Sequence, residues 1–271
     1  MSTRSLDMCA MRTDDRWVPA MRNQRDFVAA LHKGLGIIEC FSASHPRLTL
    51  SDASRRAGMT RAAARRYLLT LASLGYADFD GKFFSLTPRI LRLGYAYLST
   101  ASIPRLAQPV LETLADEARE AASLAVLDGS DVLFIAHSAK RRLLSAMASV
   151  GTRLPAWCTA MGRVLLAGMV DDALDRWLKG LRPRKLTPKT LTSQRELLER
   201  VLQARADGYA VNDEELEMGL RSIAVPVRNS RGDVVFALGI SLQAARMTPA
   251  MMKQRLLPAL QSGSAALSAM L

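Results

Sequence analysis

Cysteine and histidine are scarce in this chain, and neither is grouped. Cys9, Cys40 and Cys158 lie far apart, an odd number with no CxxC pair, so there is no sign of a disulfide framework or a thiolate zinc site. They read as small apolar fillers. His32, His45 and His137 show no HExxH-like spacing, and no metal or cofactor is expected. No stretch approaches the about 18 uninterrupted apolar residues of a membrane span, and a signal-peptide apolar core is lacking at the N-terminus, so a cytoplasmic protein with no membrane partner is expected. No nucleophile or acid/base constellation is visible either, which argues against an enzyme.

Apolar residues and positive charge are plentiful. At 271 residues and 49% hydrophobic content the chain can bury one large core or two ordinary ones. Its net charge of +12 is unevenly spread: residues 1–107 hold 16 Lys and Arg against 8 acids, residues 108–271 hold 21 against 17. Such asymmetry favours a polyanion partner for the N-terminal part. Nucleic acid comes before membrane, because no basic helix with bulky apolar anchors accompanies the charge.

Residues 1–24 mix Arg, Asp, Met and Pro without a period and read as a poorly ordered arm. In "DFVAALHKGLGIIECFS", Phe27, Leu31, Leu35, Ile38 and Phe41 recur at helical spacing, predicting an amphipathic helix. In "LSDASRRAGMTRAAARRYLLTLASLGY", Thr49 and Asp52 form a capping-box pattern for a short helix that Gly58 closes. Thr60 caps a third helix from Arg61 to Leu74, closed by Gly75. Two helices joined through a Gly-centred turn make a helix-turn-helix.

At about 100° per residue, Ala64, Tyr67, Leu68, Leu71 and Leu74 form one apolar stripe on the third helix, while Arg65 and Arg66 straddle the opposite face. Ala62 and Ala63 add no bulk there. No acid stands between Ala53 and Ala77, whereas a merely solvated face mixes Glu with Lys, so the helix reads as DNA-reading. "YADFDGKFFSL" then predicts a hairpin about Asp80-Gly81 with Lys82 at its tip, a basic wing. Thr87 and Pro88 open a linker helix through Ser102. Its apolar residues wrap more than one side, which suits packing against a partner subunit or within the chain.

From Ile103 a helix to about Glu120 precedes strand-like runs about Asp128-Gly129, at Leu143–Ala148, Tyr209–Asn212, Ser222–Arg228 and Val234–Leu242, with a hairpin turn at Asn229–Asp233. Pro155 is expected to stop a strand. Helical patterns at Thr159–Gly168, Ala173–Leu178, Ser193–Ala206 and Thr248–Leu271 intervene. The fold class is α+β: an antiparallel sheet flanked by helices. The domains are an arm at 1–24, a winged helix-turn-helix at 25–87, a linker helix at 88–102 and a sheet domain at 103–271.

The pieces "GLGIIECF", "LSDASRRAGMTRAAARRYLLTLASLGY", "LTPRILRLGYAYL", "GTRLPAWCTAMGRVLLA" and "GYAVNDEELEMGLRSIAVPVRNSRGDVVFALGIS", in this order and spacing, resemble the IclR family of bacterial transcriptional regulators. Within it the chain looks most like the Pca/Pob-type subgroup that controls aromatic-acid catabolism. The resemblance implies a GAF-like effector domain after the winged helix-turn-helix, and a homodimer through the linker helix, often paired into a dimer of dimers. It puts an effector carboxylate at Ala160 and Met161, with Asn212, Ser222 and Ser241 as polar lining and Leu144 and Trp157 as apolar wall. Gly239, in "ALGIS", departs from relatives that carry a polar residue there.

The residue chemistry agrees with these roles. Thr159 and Ala160 open a helix whose free amides suit an anion, and Arg153 can pair with a second carboxylate or stay a solvated loop residue. Ser222 and Ser241 can equally be ordinary strand residues, and Trp157 core. For double-stranded DNA, Arg61, Arg65 and Arg66 offer base-edge donors. Arg55, Arg56 and Lys82 suit the backbone, and Thr49 and Thr60 can meet phosphates. The acidic run Asp213, Glu214, Glu215 and Glu217 reads as a turn and short helix, solvated or paired with Arg. His137 and Ser138, adjacent on a strand, face opposite sides and make no catalytic pair. The competing readings are an effector-blind or architectural DNA protein, and an enzyme acting on a small organic acid.

Overall fold

In a computed structural model of the protein the described residues are 27–271, apart from residues 43, 101 and 140–148. The arm at 1–24, the strand expected at Leu143–Ala148 and the site residue Leu144 therefore lie outside the described residues. The chain divides after Thr100 into two compact units.

The first unit contains α1 (Ala29–Glu39), β1 (Arg47–Thr49), α2 (Leu50–Arg56), α3 (Arg61–Ser73), β2 (Ala77–Phe79), β3 (Phe83–Leu86) and α4 (Leu91–Thr100). The capping box forms as read: the Thr49 hydroxyl accepts the Asp52 amide at 3.2 Å while Asp52 Oδ2 accepts the Thr49 amide at 3.3 Å. Thr60 caps α3 through the Ala63 amide at 3.2 Å. Gly58 and Gly75 take positive φ, 61° and 77°, the turns that glycine adopts without a Cβ clash.

The core of this unit is Ile37, Cys40, Leu48, Ala53, Ala64, Leu68, Leu71, Ala77 and Phe84. Each large member contributes about 2 kcal/mol by burial. Three expectations are corrected. Phe27, Leu31 and Leu35 stand exposed, because α1 is anchored by its C-terminal half alone, with Ile37 as its buried residue. Leu74 is exposed as well, lying past the end of α3 where the chain turns at Gly75. The wing loop is Gly81-Lys82, one residue later than read: the Asp80 amide donates to the Phe83 carbonyl at 3.2 Å, and the Asp80 carboxylate accepts the Lys82 and Phe83 amides at 3.0 and 2.7 Å. β1 joins the wing, giving the order β1-β3-β2. A 3-10 turn at Pro88–Ile90 precedes α4, where Leu91, Leu93, Tyr95 and Tyr97 are all exposed.

The second unit contains α5 (Ser102–Ala118), β4 (Ala121–Asp128), β5 (Asp131–Ser138), β6 (Arg153–Pro155), α6 (Ala160–Ala167), α7 (Asp171–Gly180), α8 (Gln194–Asp207), β7 (Ala210–Asp213), β8 (Leu220–Arg228), β9 (Val234–Gln243), α9 (Pro249–Arg255) and α10 (Leu257–Ser268). Among the described residues, six strands form one antiparallel sheet in the order β6-β5-β4-β9-β8-β7. The side chains alternate between two cores, as half-buried strands require. Leu124, Val225, Leu238, Ile240 and Leu242 pack with α5 and α10 on one face. Ala125, Val132, Phe134, Ala224 and Ala237 pack with α6, α7 and α8 on the other. Pro155 ends the edge strand β6, where a missing amide costs no ladder bond. The single helix expected at Thr248–Leu271 is two: Pro258, in the first turn of α10, cannot continue the amide ladder, and the chain breaks at Leu256.

α6 is buried at Ala160 through Leu166, so it is held from all sides rather than along a stripe. Its close approach rests on glycine. A Cβ at Gly162 would lie 2.0 Å from the Ala156 carbonyl oxygen, which is backbone and cannot swing away. Gly162→Ala is therefore expected to destabilise the second unit by at least about 3 kcal/mol in urea unfolding. Gly180→Ala in α7, where a Cβ meets nothing within 4 Å, should leave stability unchanged or slightly raised.

Candidate DNA-reading face and effector site

On α3, Arg61, Ala62, Arg65 and Arg66 are all exposed, opposite the buried Ala64, Leu68 and Leu71. None of the three arginines is ion-paired to a described residue, so their donors are available to a partner. The other basic residues are partly committed. Arg55 pairs with Asp52 at 2.6 Å, and Arg56 donates from Nε to the Cys40 carbonyl at 3.2 Å, tying α2 to the end of α1. Lys82 is exposed at the wing loop, its ammonium 5.2 Å from the Phe83 ring centroid. Thr49 and Thr60 serve as caps, and the Thr49 hydroxyl bond holds the Asp52 carboxyl below its usual range. Sequence reading missed Arg47, which pairs with Asp80 and lies over Phe83 at 4.8 Å, bracing the two residues that flank the wing loop.

In the second unit the α6 face of the sheet is built of small residues in register. One row across the strands runs His137, Ser123, Gly239, Ala224, Ala210. The next runs Ala121, Ser241, Ser222, Asn212. α6 lies on this floor over β7, β8 and β9. Thr159 Oγ1 accepts the Gly162 amide at 3.1 Å and its carbonyl accepts the Arg163 amide, which leaves the amides of Ala160 and Met161 as first-turn donors the cap does not use. Unpaired amides at a helix N-terminus suit an anion. A Cβ at Gly239 would lie 2.8 Å from Met161 Cε. The departure at this position thus makes room for the methionine.

The residues named from sequence divide. Ala160 and Met161 open α6 on the sheet face that carries Asn212, Ser222 and Ser241 in one register row. Asn212 is already engaged, donating from Nδ2 to the Cys158 carbonyl at 2.6 Å, and it holds the turn before α6 in place. Trp157 is a core side chain packed with α6. Arg153 belongs elsewhere. It pairs in register with Leu133, whose side chain belongs to the opposite core, and its guanidinium is used by Asp128 and Asp131 in the β4–β5 turn. Of the acidic run, Asp213 ends β7, and Glu214, Glu215 and Glu217 lie in the turn after it with no helix. Hydrogen bonds from Lys189 and Gly219 hold the Glu214 carboxyl below its ordinary value. Burial works to raise the Asp213 carboxyl, but Arg221 and Lys189 outweigh it and bring it below the ordinary value.

Two arrangements were not foreseen. Arg163, 3% exposed in α6, makes a two-pronged pair with Glu215 at 2.7 and 2.5 Å, fastening the helix to the turn after β7. His137, set aside as a partner of Ser138, bonds instead through Nδ1 to Ser123 across the sheet at 2.9 Å. Burial pushes the Cys158 thiol up to about 12, so it is protonated at neutral pH, as a filler should be. No cluster that could hold a metal occurs among the described residues.

Residues 95–269 match the family described as the bacterial transcriptional regulator IclR C-terminal domain, and residues 30–81 match the IclR helix-turn-helix domain. The chain belongs to the IclR family. It is 44% identical over 91% of its length to the Pca regulon regulatory protein of Pseudomonas putida, covering 85% of that protein. It is 37% identical over 88% of its length to the p-hydroxybenzoate hydroxylase transcriptional activator of Acinetobacter baylyi, covering 89% of it. Among solved structures, the inducer-binding domain of a PobR double mutant from Acinetobacter, in complex with 3-hydroxybenzoic acid, is 30% identical with a TM-score of 0.59, spanning 63% of this chain and all of that one. The IclR helix-turn-helix match ends at the wing loop and the IclR C-terminal match begins inside α4, so the arginine face of α3 and the floor beneath α6 each fall within a family domain.

The buried pair gives a test. Glu215→Gln strands the Arg163 charge in the core and is expected to lower stability by about 3 kcal/mol or more. Arg163→Met combined with Glu215→Leu should lose clearly less, as read from urea midpoints.

Proposed function

We propose that this IclR-family regulator controls genes of aromatic-acid catabolism in response to an aromatic acid or a ring-cleavage dicarboxylate. The observation that carries the reading is the α6 N-terminus. There Ala160 and Met161 are buried and their amides are unused by the cap, on the sheet face that carries Ser222 and Ser241, a fixed donor pair in a water-poor setting that suits a carboxylate. The names of the Pca and PobR relatives point to the same ligand class.

On the DNA side, α3 enters the major groove of a double-stranded operator. Arg61, Arg65 and Arg66 read base edges, with Ala62 leaving room for the groove wall. Lys82 on the wing, with Arg55 and the capped helix starts at Thr49 and Thr60, neutralises phosphates. One such module reads only a few base pairs, so operator choice needs two modules related by symmetry. The exposed Leu91, Leu93, Tyr95 and Tyr97 of α4 support a homodimer formed there, paired further into a dimer of dimers. The protein acts in the cytoplasm, and the ligand shifts the population of dimer geometries by its differential affinity for them. No reaction is catalysed.

Two experiments check the reading. A thermal-shift screen of aromatic acids and β-ketoadipate-type dicarboxylates should find a ligand that, at 100 times its Kd, adds about 2.7 kcal/mol and raises Tm by roughly 5 °C or more; an effector-blind protein would show no shift with any of them. In operator titrations, Arg66→Ala should cost about 1–3 kcal/mol on the cognate sequence and relax one base position. Lys82→Ala should weaken cognate and random DNA alike and lower the salt slope by about one. Equal losses on both DNAs for Arg66→Ala would remove Arg66 from the reading set.

A further inference from the structure

The cross-strand pair Ser123 and His137 faces the same side of the sheet as Gly239, Ser241 and Ser222. Ser123 is buried at 5% exposure, and its hydroxyl is 2.9 Å from His137 Nδ1. The other ring nitrogen, Nε2, is shut off from solvent and has no hydrogen-bond partner. An unmet buried polar atom of this kind destabilises the free protein. It is a feature expected of a group waiting for a ligand atom. On its other side Ser123 is flanked in register by Gly239, over which the end of the flexible Met161 side chain lies, so the pair borders the floor on which the first turn of α6 rests.

Burial holds the imidazole pKa below its usual value, so the ring is neutral at neutral pH. A neutral ring carries one donor and one acceptor, and the serine hydroxyl can serve either tautomer by rotating. Nε2 is thus offered either as a donor or as an acceptor, without charge. That chemistry suits an uncharged oxygen better than a second carboxylate, whose desolvation it would not offset. From β5 to β9 is two strand spacings, about 10 Å, a span that a ring with substituents at opposite ends can bridge once its carboxylate is at α6.

We infer that Ser123 and His137 form a second polar anchor of the effector site, taking an uncharged oxygen, a phenolic hydroxyl or a ketone, at the end of the ligand remote from its carboxylate. The inference rests on the assignment of the carboxylate to the α6 N-terminus. His137 is then a specificity residue, and Ser123 positions it.

The test is isothermal titration of the full-length protein with two ligand pairs that differ only in that oxygen: benzoate with 4-hydroxybenzoate, and adipate with β-ketoadipate. In the wild type one pair shows a preference for the oxygenated member, and that pair identifies the oxygen as phenol or ketone. In His137→Phe, which keeps ring volume, the preference should fall by about tenfold or more while the unsubstituted member binds within about twofold of wild type. His137→Gln should restore part of it, and Ser123→Ala should reduce it without abolishing binding. Ser123→Ala alone carries the test if His137→Phe melts early. An unchanged preference, or a parallel loss of all four ligands in folded variants, would overturn the inference. Absence of binding by all four to the wild type would instead overturn the ligand class proposed above.

Discussion

The second unit is organised by a helix end pressed onto a sheet with almost no side chain between them. Gly239, in the sheet, gives way to Met161, while Gly162 lets α6 close on the Ala156 carbonyl in the 3-10 turn at residues 156–158 before it. Ala224 and Ala210 continue the same row. Larger residues at these points would lift α6, and its first-turn amides would meet water instead of a closed floor. Because unpaired amides discriminate for an anion most strongly where the dielectric is low, this close approach is what makes the position useful. The rest of the unit serves to hold it. Asn212 grips the Cys158 carbonyl in front of α6, and Arg163 grips Glu215 along its side. Both are buried polar contacts, and buried polar contacts specify a geometry more strictly than apolar packing does, since a slip leaves them unsatisfied.

The first unit follows an opposite logic. Its core is small, and its distinctive surface is defined by what has been left unpaired. Asp52 and Asp80, two of its acids, are held by a capping box and by the wing loop and are ion-paired with Arg55 and Arg47, so neither is paired with an arginine of α3. Arg61, Arg65 and Arg66 are then free to meet an external anion without first breaking an internal pair. A guanidinium already paired would have to exchange partners, and the net gain on DNA would shrink accordingly.

How much of this is legible in sequence depends on how local the cause is. The caps at Thr49 and Thr60, the glycine turns at Gly58 and Gly75, and the hairpin at Asn229–Asp233 depend on residues a few positions apart, and the structure has them where sequence patterning puts them, while the turn read at Asp128-Gly129 falls one residue later, at Gly129-Ser130. The wing loop is displaced by one residue because the Asp80 carboxylate can fold back on the following amides, a choice that a dipeptide signal does not reveal. Arg153 looked like a loop cation near the effector. Its face is decided by pairing with Leu133, and that register is a long-range fact. The same holds for Arg163: the eight residues of α6 with one internal arginine were a signal that the charge must be matched inside, but Glu215 lies 52 positions away. His137 was weighed against its chain neighbour, when the relevant neighbour on a sheet is the residue across the strand.

The polar atoms at the α6 end of the sheet therefore fall into two groups, and the division bears on how a ligand can act. Asn212, Glu215 and the two terminal nitrogens of Arg163 are spent on one another and on the backbone, with Arg163 Nε left without a partner among the described residues, so they form a frame that exists before any ligand arrives. The amides of Ala160 and Met161, the hydroxyls of Ser222 and Ser241, and His137 Nε2 are not spent. A ligand that fits the frame gains from the second group without dismantling the first, and little of its binding free energy is lost to rearrangement. What it can transmit is then limited to its differential affinity for the states that the frame permits. The unspent atoms sit on α6 and on the two central strands β4 and β9 with their neighbours β5 and β8, so an acid bound as proposed would draw the helix end and the sheet together. A conformational response to ligand would accordingly begin as a shift of α6 against the sheet, at the interface that Gly239 keeps thin.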